Sequence, residues 1–404
     1  MVRIPKNIIR REAYLARLRP FVNKNIIKVL TGQRRVGKSY LLYNVMEEIL
    51  RDNPEANIIF INFEDFKYRP LTDPEKLYEY LDAKVTEEGM SYIFIDEIQE
   101  VKEFESVITS FFIRDNCDIY ITGSNSHMLS GELATKLTGR YIEIKVYSLS
   151  YGEFLTFHGL EEGREALEKY ARYGGLPYLR NLELTDAVAG EYLKSVYSTI
   201  VYRDVVARYQ IRNTSTLERL AQFIAENIGT IFSAKKISDY LKSQRIAISV
   251  SQLQTYTAYL ASSFLIHVAL RYDLVGKKIF EIGEKYYFGN LGLRNVLTGF
   301  RDADRGKIME NLVYNHLLFL GYDVKIGSID RQEVDFVAIR DNEYLYIQVA
   351  LRIDSEETAR REYGNLLAIG NNYPKYVVTE HGFGGNTYEG IKTLSIREFL
   401  MSEI

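Results

Sequence analysis

A glycine-rich octapeptide, G-Q-R-R-V-G-K-S at residues 32–39, constrains the fold of this chain more than any other feature of its sequence. It follows an apolar, β-branched run at 26–32 and opens a stretch with helical spacing at 39–51. Glycine lets the backbone curl so that successive N–H groups face one anion, and the N-terminus of the following helix adds its positive end. The octapeptide therefore predicts a phosphate-binding turn between a buried strand and a helix, as in an ATP site.

The residue types within this turn predict its chemistry. The Lys38 ammonium is expected to contact the β- and γ-phosphates, and the Ser39 hydroxyl is expected to ligate Mg²⁺. Arg34 and Arg35 add two cations near the phosphates, although either can equally face solvent. The residues predicted to bind the nucleotide are Gly32, Gln33, Arg34, Arg35, Val36, Gly37, Lys38, Ser39 and Tyr40.

Two acidic residues follow a second apolar run, S-Y-I-F-I-D at 91–96. Asp96 ends the predicted strand, where its carboxylate can reach the Mg²⁺ held by Ser39. Glu97 comes next and can take a proton from the attacking water as general base. The alternative is that both acids only cap the next helix. The pair therefore predicts the second half of a hydrolytic nucleotide site.

Strand-like apolar runs alternate with helical stretches through this part of the chain, with further strands expected at 57–63, 118–124 and 141–148. Such near-continuous apolar strands predict a parallel sheet buried between helices, and hence an α/β fold. The strand at 118–124 ends in polar residues, of which Asn125 or Ser124 is expected to sense the γ-phosphate. A hydrogen-bonded turn is the alternative for these two residues.

With these motifs the chain resembles the AAA+ ATPase superfamily, in its archaeal and bacterial ATPase group. The resemblance also rests on T-G-S-N-S at 122–126, T-G-R at 138–140, I-N-F-E-D at 61–65 and Y-S-L-S-Y-G-E-F at 147–154. It implies an AAA+ P-loop ATPase domain over residues 1–155. It continues into a C-terminal region that resembles the domain of unknown function usually coupled to this module.

The resemblance also bears on assembly. In AAA+ proteins an arginine just before the last core strand often reaches the nucleotide of a neighbouring subunit. Arg140 occupies this place, so the resemblance implies a homo-oligomer in which Arg140 acts in trans on the catalytic site. An arginine that closes a local turn is the alternative.

Residues 156–275 turn helical and are predicted to form a lid followed by a winged helix. The second helix of its helix-turn-helix pair, V-S-Q-L-Q-T-Y-T-A-Y-L, is expected to enter the major groove of double-stranded DNA. Residues 233–278 carry seven Lys/Arg against two acids, which favours contact with a polyanion. The residues expected to contact DNA are Ser249, Ser251, Gln252, Gln254, Thr255, Lys235, Lys236, Lys242, Lys277 and Lys278. A winged helix used only for packing or protein contacts is the alternative.

Residues 276–404 resemble the PD-(D/E)xK nuclease fold. The residues that carry this resemblance are Glu310 on a predicted helix, Asp335 in E-V-D-F and Gln348 in I-Q-V-A-L. Such domains bind Mg²⁺ through acids and an E-x-K strand. Here that strand reads Gln-Val-Ala, so its acid and its lysine are both missing, and Arg352 is the only nearby cation expected to substitute. The prediction is a nuclease-like domain that does not cut DNA; a retained nuclease is the alternative.

The composition indicates the cellular compartment of the chain. A single cysteine, Cys117, excludes an intrachain disulfide framework and favours the cytoplasm. Charges interrupt the N-terminal apolar runs, and no run approaches the roughly 18 residues of a membrane span. We expect a Mg-dependent ATP hydrolase that uses hydrolysis as a conformational switch, with no membrane partner. The rivals are an ATP-binding regulator of DNA or protein with little turnover and an ATP-regulated nuclease, which the degraded third motif disfavours.

Overall fold

The chain forms two compact units, one made of Met1–Val146 with Ser262–Phe264 and the other of Tyr147–Ala261 with Leu265–Ile404. The computed structural model describes residues 3–126, 137, 139–246, 248–276, 278–329, 332–381 and 387–404. The short helix expected near 127–137 lies outside the described residues.

The first unit contains a five-stranded parallel sheet in the order β2-β3-β4-β1-β5. Its strands are β1 (Ile27–Thr31), β2 (Asn57–Asn62), β3 (Ser91–Asp96), β4 (Cys117–Gly123) and β5 (Tyr141–Lys145). Its helices are α1 (Glu12–Leu18), α2 (Lys38–Asp52), α3 (Pro74–Asp82) and α4 (Phe104–Phe112). Every residue of β1, β3 and β4 is buried, which confirms the predicted sheet covered on both faces.

The parallel arrangement decides where polar residues meet. The strands β1, β3 and β4 are neighbours and end at the same edge of the sheet. The glycine-rich loop follows β1, Asp96 is the last residue of β3, and Ser124 follows β4. Because these parallel neighbours end at the same edge, the polar side chains that follow them collect there, and this edge carries the candidate site.

The second unit contains an eight-stranded mixed sheet in the order β12-β13-β11-β10-β9-β8-β6-β7. Its strands are β6 (Ile266–Asp273), β7 (Lys278–Phe288), β8 (Asp323–Ile329), β9 (Gln332–Arg340), β10 (Glu343–Ala350), β11 (Lys375–Thr379), β12 (Thr387–Tyr388) and β13 (Ile391–Ser395). This mixed α/β region confirms the fold class expected for the second half of the chain.

Helices surround and precede that sheet. They are α5 (Tyr151–His158), α6 (Arg164–Tyr173), α7 (Ala189–Thr199), which continues as a π-helix (Ile200–Ala207), α8 (Thr214–Glu226), α9 (Ala234–Ser243), α10 (Val250–Ser262), α11 (Leu291–Thr298), α12 (Arg305–Phe319), α13 (Glu356–Leu367) and α14 (Ile396–Met401). Among the helices of the described ranges, none combines the length and the apolar character that crossing a bilayer requires.

The helices α8 to α10 precede the β6–β7 hairpin, which is the element order predicted for a winged helix. The hairpin also pairs with the rest of the sheet, since Arg271–Asp273 of β6 runs parallel to Ile326–Ser328 of β8. The sequence-based boundary between residues 275 and 276 falls in the turn of this hairpin. The division into three domains stays a prediction.

Candidate active site

The loop between β1 and α2 has a backbone that depends on its glycines. Gly32 has a φ of +151°, and a Cβ there would lie 2.1 Å from the carbonyl oxygen of Val146. Gly37 caps α2 with a φ of +96°, and Arg35 between them also has a positive φ, of +70°. Positive φ costs little only for glycine, so residue type accounts for the curl at Gly32 and Gly37, whereas Arg35 adopts a conformation that its side chain disfavours. The result is a turn that leads directly into the N-terminus of a helix.

Lys38 is held over this turn. It is buried, and its Nζ donates to the carbonyl oxygens of Gly32 at 2.8 Å and Gln33 at 3.1 Å. Val36 is buried as well, whereas Tyr40 at the start of α2 is exposed. The loop therefore fixes the ammonium at the place where phosphate oxygens are expected.

Arg11, the residue directly before α1, contacts the loop from outside the motif. Arg11 is buried and donates from Nη1 to the carbonyl oxygen of Val36 at 3.0 Å. Sequence reasoning missed this residue, because nothing in its local pattern separates it from the other basic residues near the N-terminus. Its contact makes the loop conformation depend on a segment well outside the motif.

The structure brings Asp96 and Ser39 into contact. Both Ser39 and Thr122 hydrogen-bond to the Asp96 carboxylate, Thr122 from Oγ1 at 2.5 Å. Burial and the neighbouring Glu97 raise the pKa of Asp96 to about 6, and the two hydroxyl hydrogen bonds oppose that shift. A carboxylate beside a hydroxyl is an oxygen donor set that suits a hard cation such as Mg²⁺, so these residues fit the predicted metal.

Glu97 lies just beyond β3 in a strained backbone conformation, with a φ of +58°. Its backbone N–H donates to Thr122 Oγ1 at 3.1 Å, which ties it to the end of β4. The Ser124 hydroxyl donates to Glu97 Oε2 at 3.0 Å, and the side-chain amide of Gln99 donates to the same oxygen. The side chain of Glu97 is therefore oriented by neighbours on both sides. It makes no capping hydrogen bond to the short helix that follows.

The electrostatic surroundings keep Glu97 ionised. Burial by itself would raise the pKa of Glu97, but the positive charges of Lys38 and Arg34 outweigh it and lower that pKa. Arg34 is buried, and its Nη1 lies 2.9 Å from Oε1 of Glu64 in an ion pair. The structure thus brings one carboxylate with a low pKa to the edge that holds the lysine of the loop.

Of the remaining predicted residues, Asn125 joins the site and Arg140 does not. Asn125 is fully buried directly after Ser124 at the end of β4. Arg140 is exposed, its carbonyl oxygen accepts the N–H of Ile27 at 2.9 Å, and its guanidinium lies over the ring of Phe112 at 5.6 Å. Because β1 and β5 are parallel, Arg140 lies at the opposite edge of the sheet from the loop of its own chain.

Sequence reasoning also missed residues that the site uses. They are Gln99 and Glu64, besides Arg11, and Glu64 lies in I-N-F-E-D, a segment already singled out. Thr122 was grouped with the polar residues that end its strand, but Asn125 or Ser124 was chosen from that group. The signal was therefore present, but assigning it required knowing which strand ends are adjacent.

The strand order, the loop after β1 and the acid pair after β3 define a P-loop nucleotide-binding protein of the AAA class. Residues 24–155 match the model of an AAA domain, and residues 164–304 match a domain of unknown function, DUF8612. The AAA resemblance inferred from the motifs is thereby confirmed for the first domain. The nuclease-like interpretation of the C-terminal region stays a prediction.

The chain belongs to the same family as two uncharacterised proteins to which it is similar over most of its length. One, from Haemophilus influenzae, is 35% identical over 403 residues, which are 98% of this chain and 99% of that one. The other, from Methanocaldococcus jannaschii, is 30% identical over 352 residues, 83% of this chain and 77% of that one. Neither comes with a stated function.

Similarity to solved structures is more distant. The ORC1 protein of Aeropyrum pernix in complex with DNA is 14% identical, and the match covers 75% of this chain and 95% of that chain. The TM-score of this match is 0.32. A likeness at this level carries no argument about what the present chain binds.

Proposed function

We propose that this chain binds ATP with Mg²⁺ and hydrolyses ATP to ADP and phosphate, using the reaction as a conformational switch. The observation that carries the proposal is Glu97, a carboxylate with a lowered pKa that hydrogen bonds orient at the same strand edge as the loop lysine. An acid pair that only capped a helix would need no such orientation. A P-loop that only bound nucleotide would need no base.

Binding uses groups that are already in place. The Lys38 ammonium exchanges its two loop carbonyls for β- and γ-phosphate oxygens, while the backbone N–H groups of 32–39 and the N-terminus of α2 face the phosphates. Ser39 and Asp96 are the residues that would hold Mg²⁺, which when bound offsets the negative charge of the phosphates. The buried Arg34 adds a second cation beside them.

Turnover requires a proton acceptor and a fixed direction of attack. The Glu97 carboxylate accepts a proton from a water molecule as the water oxygen forms a bond to the γ-phosphorus. The bond from that phosphorus to the bridging oxygen breaks, and ADP leaves with the electron pair. Ser124 and Gln99 hold the carboxylate. We propose that Asn125, next to Ser124 in the chain, contacts the γ-phosphate.

Two variants test this assignment. Lys38→Ala should lose ATP binding and keep its fold, since it removes one phosphate-contacting cation. Glu97→Gln should bind ATP normally and lose about 10²- to 10⁴-fold in turnover, because an amide accepts no proton from water. Nucleotide affinity comes from fluorescent-nucleotide titration and turnover from phosphate release. Parental turnover in Glu97→Gln would place the base elsewhere, and undetectable turnover of the parent chain would favour the ATP-binding regulator.

We further propose that the chain contacts double-stranded DNA through residues 233–278. Lys235, Lys236 and Lys242 are exposed on α9, and Ser251, Gln254 and Thr255 are exposed on α10. Of the other residues predicted for this surface, Ser249 caps α10 by accepting the N–H of Gln252 at 3.1 Å, Lys278 is exposed, and Lys277 lies outside the described residues. Exposed cations next to short polar side chains suit phosphate and base-edge contacts.

A third part of the proposal concerns assembly. Arg140 lies on the sheet edge away from its own loop, so it has no route to the nucleotide of its own chain. An exposed arginine there is free to approach a second copy. We propose that the active form is a homo-oligomer in which Arg140 stabilises charge at the neighbour's γ-phosphate.

A further inference from the structure

Lys285, on β7, lies buried between three carboxylates. Its Nζ is 2.9 Å from Oε1 of Glu310, which projects from α12. The same Nζ is 2.7 Å from Oε1 of Glu333 and 3.8 Å from Oδ1 of Asp335, both on β9. Only 4% of the Lys285 side chain is exposed. A cation and three acids from three separate elements thus converge under α12, which packs on this part of the sheet.

The carboxylates of this centre are engaged by further internal donors. The Tyr287 hydroxyl donates to Glu310 Oε1 at 2.6 Å, and the backbone N–H of Val349 donates to Asp335 Oδ2 at 2.8 Å. Gly229 covers the other side of Glu310, because a Cβ at this residue would lie 3.0 Å from Glu310 Oε2. The centre is therefore closed from several directions by the protein itself.

Electrostatics show how the charges balance. Burial alone would lower the pKa of Lys285, but Glu310, Asp335 and Glu333 outweigh it and raise that pKa, so the lysine is charged. Burial, with Glu310 next, raises the pKa of Asp335 to about 8. One ammonium therefore offsets only part of the negative charge, and removing it would leave a buried acidic centre with no cation.

This arrangement corrects the sequence-based picture of the region. Arg352 was the only cation expected near Glu310, Asp335 and Gln348, yet Arg352 is exposed and Lys285 holds that position. No sequence pattern indicates this lysine, since Lys285 precedes Glu310 and belongs to a different strand from the E-x-K positions. Gln348 does lie beside Asp335 and accepts its N–H at 3.3 Å.

We propose that the Lys285 ammonium is the built-in counter-cation of this carboxylate centre, and that the same oxygens bind a divalent cation once substitution removes the ammonium. The ammonium and a hard divalent cation compete for the same carboxylate lone pairs, and only one fits. Within the part of the chain that the structure describes, no three His, Cys, Asp or Glu side chains are arranged to hold a metal ion, and in this centre the ammonium lies among the carboxylates. The centre consequently holds no divalent cation and cleaves no DNA in the parental chain.

The test titrates the full, nucleotide-free chain with Mn²⁺ and counts sites by electron paramagnetic resonance of free Mn²⁺. Lys285→Met should bind one more Mn²⁺ per chain than the parental protein, and Lys285→Met/Asp335→Asn should lose that site again. Lys325→Met is the matched control, because Lys325 pairs with Asp323 on the surface of β8. It should leave the count unchanged. Mn²⁺ should also raise the Tm of Lys285→Met and not that of the parent.

The parental chain and Asp335→Asn form a second comparison that needs no change at Lys285. Equal Mn²⁺ counts in these two proteins support the proposal. One site fewer in Asp335→Asn, or DNA cleavage that this variant abolishes, overturns it, because the centre would then hold metal beside the lysine. A folded Lys285→Met that gains no site also overturns it. Should Lys285→Met not fold, Lys285→Gln keeps a donor for Glu310 and takes its place, and the second comparison still decides.

Discussion

The Ser124 hydroxyl donates a hydrogen bond to Oε2 of Glu97 over 3.0 Å, joining the end of β4 to the residue that follows β3. The two residues are far apart in the chain and meet because β3 and β4 are parallel neighbours. The contact orients the proposed base, and Ser124 therefore acts on the reaction through Glu97 as a positioning residue.

Ser124→Ala should lower kcat about tenfold and leave KM nearly unchanged. One lost hydrogen bond to a charged group is worth about 1.5 kcal/mol or more, and about 1.4 kcal/mol corresponds to tenfold in rate. Ser124→Thr, which keeps the hydroxyl, should restore kcat in steady-state ATPase assays. Ser110→Ala is the control, since its hydroxyl donates to the Ser106 carbonyl within α4 and this hydrogen bond is exposed. A change confined to KM would contradict the positioning role.

Arg34→Ala should move the acid limb of the kcat/KM pH profile to higher pH. Arg34 is one of the two cations that lower the pKa of Glu97, so its removal raises that pKa. The base must be ionised, and activity is lost as pH falls through its pKa. Arg35→Ala removes the exposed neighbouring cation and should shift the limb less. Equal shifts in both variants would mean that Arg34 has no special coupling to Glu97.

Arg140→Ala and Glu97→Gln should each be inactive and regain activity when mixed. A mixed oligomer contains sites in which an intact Glu97 faces an intact Arg140 from the neighbour. An arginine of this kind is worth on the order of 10³-fold in turnover. Phosphate release is measured after co-incubation. Arg114→Ala, whose arginine pairs with Asp82, is the control and should retain turnover by itself. A mixture no more active than the mean of its components would rule out action in trans.

Charge reversal of Lys235 and Lys236 should weaken DNA binding uniformly across sequences and flatten its salt dependence. Each phosphate neutralised contributes a slope of about −0.9 in log affinity against log salt, so the slope should fall in magnitude by about two. Fluorescence anisotropy with duplex DNA over a range of salt measures both quantities. Lys194→Glu reverses a surface lysine paired with Glu191 and should change little. Absent binding at low salt would assign the region to packing or protein contact.

Stability should fall as pH drops from about 6.5 to about 4, in part because of His316. Burial lowers the pKa of His316 to about 4, whereas an unfolded histidine has a pKa of about 6.5. The unfolded chain therefore binds more protons in this window, and each pKa unit is worth about 1.4 kcal/mol, so the loss approaches about 3 kcal/mol. His316→Gln should reduce that loss in denaturant titrations. His381→Gln, at an exposed histidine, should not.

The sequence by itself determined the parts of this protein that depend on adjacent residues. The loop lies within residues 32–39 and includes its glycines, Lys38 and Ser39. The backbone conformations of the glycines follow from residue type alone. The buried runs of β1, β3 and β4 predicted a parallel sheet, and the shared edge of such a sheet places Asp96 near Ser39. The observed hydrogen bonding of Asp96 to Ser39 agrees with that local reasoning.

Only the tertiary structure decided contacts between residues that are distant in the chain. The brace from Arg11 to Val36, the ion pair of Arg34 with Glu64 and the place of Lys285 depend on how strands are ordered and how helices pack. A charged side chain requires a specific partner only when it is buried, and whether it is buried depends on the fold. From the sequence, Lys285 is therefore indistinguishable from a surface lysine. In the folded chain it lies between three carboxylates.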